Sequence, residues 1–465
     1  MVPSAAGGQI AVPTTTEVAG LRAWLGLAVG VLIAAGCFAV LLVFARMPPF
    51  DRLVTDPDFF RRCLVVHVDL ALVAWFVSFI VAMSFRLPEP GRAGRWTVGA
   101  AWVSAGGLGV MGLAVATPGS EAVMANYVPV IDHPLFGIGL ATFGVGVVAA
   151  LADGRLWSTR ADSAAAPGIA AAGVALLLAG VTFFASWLGG PAGVPGETGF
   201  ELLMWGGGHV LQLASETAMV AAWLYLLEES TGRPVMRRGT AAAGFVLLVL
   251  PWFAAPLLTG FGLHSSAYYH GFTQLMRWGI FPVVSLFLLA CFAAARRAPT
   301  GDPRVAGFYV SAVLTVLGFV LGALIRGSNT VIPAHYHASI GAVTVAFMAL
   351  APGLLGAAGY AKCSPSRLAR WQPVLFGSGQ FVFAVGFAFA GAHGSARKVY
   401  GAEQLARSPL ETLGLAVMGL GGIVAVAGGI AFLWIVVQRW LGPGSLLTRL
   451  PWRSSWPRRR TQSNA

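Results

Sequence analysis

Charge is scarce in this sequence: 10% of its 465 residues are Asp, Glu, Lys or Arg, against 57% that are hydrophobic. Soluble globular domains carry about 25% charged residues, so a soluble enzyme or binding module is excluded and a bilayer is the solvent that fits. No polar stretch is long enough to form a separate soluble domain, and there is no internal repeat of the kind that marks many transporters. Cysteine is sparse too. Cys37, Cys63, Cys291 and Cys363 stand singly, with no C-x-x-C pair and no C-x-x-C-H site, which speaks against covalently attached haem and against a cysteine-built metal centre. The stretch before Leu21 lacks a basic n-region, so no cleaved signal peptide is expected and the first apolar run can itself direct insertion.

What the sequence does have is long apolar runs. A spanning helix needs roughly 20 mostly apolar residues, and twelve such runs occur, near 21–45, 63–85, 97–117, 130–151, 166–189, 200–227, 240–262, 271–295, 305–325, 333–360, 371–393 and 411–438. The expected fold class is therefore all-α, a polytopic integral membrane protein. A polar N-terminal segment (1–20) and a basic cytoplasmic tail (441–465) flank one twelve-helix membrane domain, 21–440.

The net charge of +12 does not require nucleic acid. With the N-terminus inside, the inner loops carry Arg86, Arg92 and Arg95; Arg155 and Arg160; Arg233, Arg237 and Arg238; Arg296, Arg297 and Arg304; Lys362, Arg367 and Arg370; the tail adds Arg453 and Arg458 to Arg460. This is the positive-inside pattern. It predicts both termini on the inner side of a prokaryotic cytoplasmic membrane, with the tail on anionic lipid headgroups. The first outer loop is the exception, with Arg46, Arg52, Arg61 and Arg62 mixed with Asp51, Asp56 and Asp58.

Eight histidines (His67, His133, His209, His264, His270, His335, His337 and His393) all fall toward the outer ends of their helices or in outer loops in this topology. A histidine within a membrane is costly and faces a cavity, a partner or a cofactor, so eight at similar depth point to one site. The sharpest local signal is His335-Tyr336-His337. Residues two apart on a helix point about 200 degrees away from each other, so these imidazoles serve opposite faces. A metal shared by one helix would want spacing of three or four. Two planar cofactors flanking the helix, each taking an axial imidazole, suit this spacing.

The run His335-Tyr-His-Ala-Ser-Ile-Gly-Ala-Val resembles the helix-10 motif of haem-copper oxidase subunit I, the superfamily of cytochrome oxidases and nitric oxide reductases. The resemblance spans helices 2 to 12. It implies that His335 ligates a high-spin haem and His337 a low-spin haem, with His67, in His67-Val-Asp-Leu-Ala-Leu-Val-Ala-Trp75, as the second low-spin ligand. It also implies that His209, in Trp205-Gly-Gly-Gly-His-Val-Leu-Gln212, and His264 bind a non-haem metal, copper or iron, and that Arg397 and Lys398 hold haem propionates. Electrons would come from a cytochrome c-type or cupredoxin-type subunit or from quinol, since no dinuclear copper or haem c site is present.

The sequence departs from that pattern, as an atypical member would. Ser265 follows His264 where the family has a further metal histidine, so a third ligand would have to be His270, then Gln212, then Glu216, with Tyr268 and Tyr269 also near; otherwise the metal is lost. The tyrosine that oxygen reductases carry one turn after the helix-6 histidine is replaced by Leu213. That absence and the context of His67 lean toward NO as the gas reduced, with O2 the alternative. Glu216, Thr217, Thr273 and Thr344 are the only obvious stepping stones for protons, and Asp69 and Arg277 are intramembrane charges expected to be paired or to face a hydrated haem edge. Asp132-His133-Pro134 reads as a helix N-terminus rather than a ligand. The competing classes are a membrane transporter and a haem-bearing electron carrier without the second metal.

Overall fold

The computed structural model describes residues 14–44, 56–86, 94, 96–153, 156, 163–190, 194, 196–360, 366–397 and 408–442. Twelve helices among them are long and apolar enough to cross a bilayer: α1 (Thr15–Leu42), α2 (Asp58–Ser84), α3 (Thr97–Ala116), α4 (Pro134–Leu151), α5 (Ala165–Leu188), α6 (Gly196–Thr231), α7 (Arg238–Phe261), α8 (Ser266–Ala295), α9 (Pro303–Ala323), α10 (Val331–Ala357), α11 (Arg367–Ala392) and α12 (Pro409–Leu441). Their number and order match the twelve apolar runs. Lys398 and most of the basic tail lie outside the described residues.

Polar caps set where the helices begin. Asp56, Asp302 and Ser408 each accept a hydrogen bond from a main-chain N–H in the first turn, and each is followed by proline, which fits the first helical position because its missing N–H has no partner there anyway. His133 does the same before Pro134, its ring accepting from the Leu135 N–H at 3.2 Å, as read from the sequence. α1 starts at Thr15, six residues before the apolar run. The reason is a capping box: the Thr14 N–H donates to Glu17 Oε2 at 2.7 Å and the Glu17 N–H donates to Thr14 Oγ1 at 3.3 Å.

Packing rests on small residues and aromatic rings. α11 and α12 lie with their backbones in close approach, Gly379 and Gly386 meeting main chain around Gly421 and Gly414, as membrane helices do when no hydrophobic drive separates them from lipid. Phe79 stacks on Phe347 where α2 meets α10, Trp75 packs tilted or edge-on against both, and Phe432 of α12 closes the cluster. Three helices are irregular within their length, and α3 ends in a 3-10 turn at Ala114–Ala116. α2 has a π-helical turn at Asp69–Ala74, α8 has one at Leu275–Ile280, and α7 narrows to a 3-10 stretch at Leu250–Ala254 around Pro251. Between α3 and α4 a short antiparallel hairpin pairs β1 (Glu121–Val123) with β2 (Val130–Asp132), Ala122 opposite Ile131. It holds the loop 124–129 over the helix ends.

Candidate functional site

α10 carries its two imidazoles to different neighbours. His335 turns to α9, where its Nδ1 lies 2.7 Å from the Gly318 carbonyl. His337 turns to α11, its ring centroid 4.5 Å from Phe383 and 6.0 Å from Phe387. It also lies within electrostatic reach of His67 on α2. The i, i+2 spacing thus separates the rings by helix geometry alone, as expected. His67 is oriented from α1, its Nδ1 2.8 Å from the Ala35 carbonyl.

A carbonyl oxygen only accepts, so in both His67 and His335 the Nδ1 carries the proton and Nε2 presents its lone pair. Neither Nε2 has a hydrogen-bond partner among the described residues, and neither nitrogen of His337 has one. Metal-ligating histidines are oriented in this way, by a carbonyl on the far nitrogen. The first residue of the π-helical turn after His67 is Asp69, 1% exposed and with no partner for either carboxylate oxygen among the described residues. The expected pairing of Asp69 is therefore not found within the described protein.

His209 on α6 is different. Its Nδ1 lies 2.7 Å from the Trp205 carbonyl and its Nε2 lies 2.8 Å from the Tyr127 hydroxyl, so both ring nitrogens are engaged. The ring is 4% exposed and packs against Tyr127, Trp205 and Phe272. The triple glycine before it has a physical cause. A Cβ on Gly206 would meet Tyr268 and Phe272, one on Gly207 would meet Phe183, and one on Gly208 would meet Tyr127.

Tyr127 is the feature the sequence did not disclose. Among the described residues it is the one non-glycine with a positive φ, 69°. Its neighbour Asn126 bridges Glu201 of α6 and Arg397 beyond α11. Burial, reinforced by Glu201 and opposed by Arg397, raises the Tyr127 phenol above its ordinary range and keeps its proton in place.

The remaining expected metal ligands differ in burial and in the segment that carries them. His264 is exposed in the turn between α7 and α8; His270 is exposed on α8 with Nε2 3.4 Å from the Gln274 amide. Gln212 is half-buried one turn further along α6, and Glu216 is buried with Oε2 unpartnered among the described residues. Among the described residues no group of three or more His, Cys, Asp or Glu stands close enough to hold a metal ion. The donor set fits axial ligation of haem by His67, His337 and His335; it does not fit the non-haem metal. Arg397 meets Asn126, not a free surface. Arg277, flagged as an intramembrane charge, is exposed on α8.

No family model matches the chain. It is similar to an uncharacterized protein of Aquifex aeolicus, 26% identical over 356 residues, covering 72% of this chain and 85% of that protein. An uncharacterized protein of Rickettsia prowazekii is 24% identical, with 89% of this chain and 94% of that protein covered. Among solved structures, a heme-copper terminal oxidase dimer determined by cryo-EM aligns with a TM-score of 0.67 at 16% identity, covering 93% of this chain and 85% of that one. The chain has the fold of such an oxidase subunit.

Proposed function

We propose that this chain is the catalytic subunit of a membrane-bound oxidoreductase of the haem-copper oxidase type, passing electrons through two haems to a small gas. The observation that carries this reading is the divergence of His335 and His337 on α10, the first turned to Gly318 of α9 and the second to Phe383 of α11, with the His67 ring oriented from the Ala35 carbonyl. His67 and His337 would hold a low-spin haem and His335 a high-spin one; haem itself supplies the electron transfer and gas binding. The protein's part is orientation. Ala35 and Gly318 carbonyls fix the tautomers of His67 and His335, and the rings of Phe383 and Phe387 pack against His337.

On the sequence resemblance, Arg397 and Lys398 would hold haem propionates. Electrons would arrive from a cytochrome c- or cupredoxin-type subunit or from quinol, in the cytoplasmic membrane of a prokaryote with both termini inside. NO remains the leading acceptor, on the sequence context of His67 and the leucine at position 213. The second reading, O2 reduction, gains support from one observation: a tyrosine does stand beside His209, supplied by the loop before α4 instead of by α6.

Purified protein in detergent should give two haems per chain by pyridine haemochrome and should consume one gas steadily with a reduced donor. An electrode trace with NO consumed and O2 untouched selects the first reading, and the reverse trace selects the second. Protein without haem, prepared under haem-replete conditions, overturns both and returns the twelve-helix bundle to the transporter class.

A further inference from the structure

The superfamily resemblance asks for a metal on His209, and the residues around His209 are built for something else. Binding a metal requires the Nε2 lone pair. Since Nδ1 faces the Trp205 carbonyl and must carry the ring proton, Nε2 is an acceptor, and the Tyr127 O–H at 2.8 Å donates to it. The donor is firmly placed. Tyr127 sits at the tip of the β1–β2 hairpin in a left-handed conformation that costs about 1 kcal/mol or more for a non-glycine residue, with φ of 69°. Gly208 is required for its ring to lie against α6. Asn126, one residue before, is tied to both Glu201 and Arg397. Among the described residues no group of three or more His, Cys, Asp or Glu could hold a metal ion, and His264 and His270 are exposed.

We propose that a phenol–imidazole pair, half-buried Tyr127 with buried His209, takes the place of the non-haem metal in this chain, and that the protein is a haem-only member of the fold. Within the pair the phenol O–H donates to Nε2 and the Nδ1–H donates to the Trp205 carbonyl, and the adjoining Asn126 ties the loop to Glu201 and Arg397. Tyr127 is a positioning residue for His209. This deepens the proposed function by defining the helix-6 side of the site, but it stands on the protein's own hydrogen bonds and is tested separately from haem.

The test is elemental analysis of the purified full-length chain, before and after incubation with Cu(II), Zn(II) and Fe(II) followed by desalting, beside a haemochrome assay. Iron should equal haem iron, and all other metal should stay below about 0.1 per chain, with no difference between wild type and His209→Gln. One non-haem metal per chain in the wild type that is lost in His209→Gln overturns the proposal. A second measurement reads the pair itself. Infrared difference spectra of ring-labelled tyrosine should contain one hydrogen-bond-donating C–O band that vanishes in Tyr127→Phe and shifts in His209→Gln. A Tyr127 band insensitive to His209 also overturns it. Both readouts work on protein without haem, so loss of haem would sink the proposed function and the haem-only reading while leaving the phenol–imidazole pair in place of a metal to be judged.

Discussion

Two ends of the histidine cluster obey different chemistry. On the α2–α10 side, His67 and His335 each have one nitrogen fixed by a main-chain carbonyl and the other left open, and His337 is held only by rings. On the α6 side, His209 has both nitrogens satisfied inside the protein. His67, His335 and His337 are half-buried, and a lone pair left open at a half-buried ring is available to a ligand. An imidazole satisfied on both sides needs nothing further. The contrast, drawn at the level of single nitrogens, separates ligand from scaffold more sharply than sequence position does.

The largest expected effects fall on the open side. His337→Ala should remove the low-spin bis-histidine spectrum and leave a high-spin haem, and His335→Ala should do the reverse, each read by absorption and EPR of the purified protein. The same haem disappearing in both variants would break the opposite-face assignment of α10. On the satisfied side the corresponding change, His209→Gln, should leave haem stoichiometry at the wild-type value.

Next in size is the packing that makes the satisfied side possible. Gly208→Val places branched carbon where the Tyr127 ring lies. Overpacking of this kind costs about 1–3 kcal/mol, and it should appear as a lower melting temperature in a detergent thermal-shift assay with low-spin haem still bound. If the low-spin spectrum fails before the protein unfolds, the two sides are coupled and the contrast is too simple. Tyr127→Phe is milder. It removes one hydrogen bond, worth about 1 kcal/mol, and should lower stability by that order while the His67–His337 spectrum stays unchanged.

These contrasts were only partly legible in the sequence. The twelve spans were, because hydrophobic length is a local property that a bilayer rewards directly. The divergence of His335 and His337 was, because helical pitch fixes it. The start of α1 was written in Thr14 and Glu17, but a polar capping box is invisible to hydropathy. The π-helical turns at Asp69 and Leu275 carry no residue signature. Tyr127 could not be read at all, since its contact with His209 depends on a three-residue ladder and a positive φ; the Gly206-Gly207-Gly208 run was the available clue, marking a helix face against which bulky rings must lie. His270 is the first-choice further ligand on the sequence, yet α8 points Tyr268 and Phe272 inward and leaves His270 on its exposed side.

The smallest effect concerns how the open side is held from outside the membrane. Arg62, 3% exposed, donates to the Val115 carbonyl at 2.9 Å and to the Ser120 carbonyl at 3.1 Å, tying α2 to the end of α3 one turn before His67. Its remaining nitrogen reaches Asp56 Oδ2 at 3.3 Å. The Asp58 main-chain N–H, aided by the N–H of Phe59 and by Arg62, holds the Asp56 carboxyl below its ordinary value of 3.8. A depressed folded-state pKa means the carboxylate stabilises the fold at pH above 3.8 and loses that contribution as pH falls through the lower folded value. Asp56→Asn should therefore lower the melting temperature slightly at neutral pH, and the difference from wild type should close in acid below that folded value. The effect stays small because Asp56 is solvent-exposed and an aspartate-to-asparagine change keeps the cap. A pH-independent difference would mean that Asp56 acts only as a cap, leaving Arg62 and its two carbonyls to place His67.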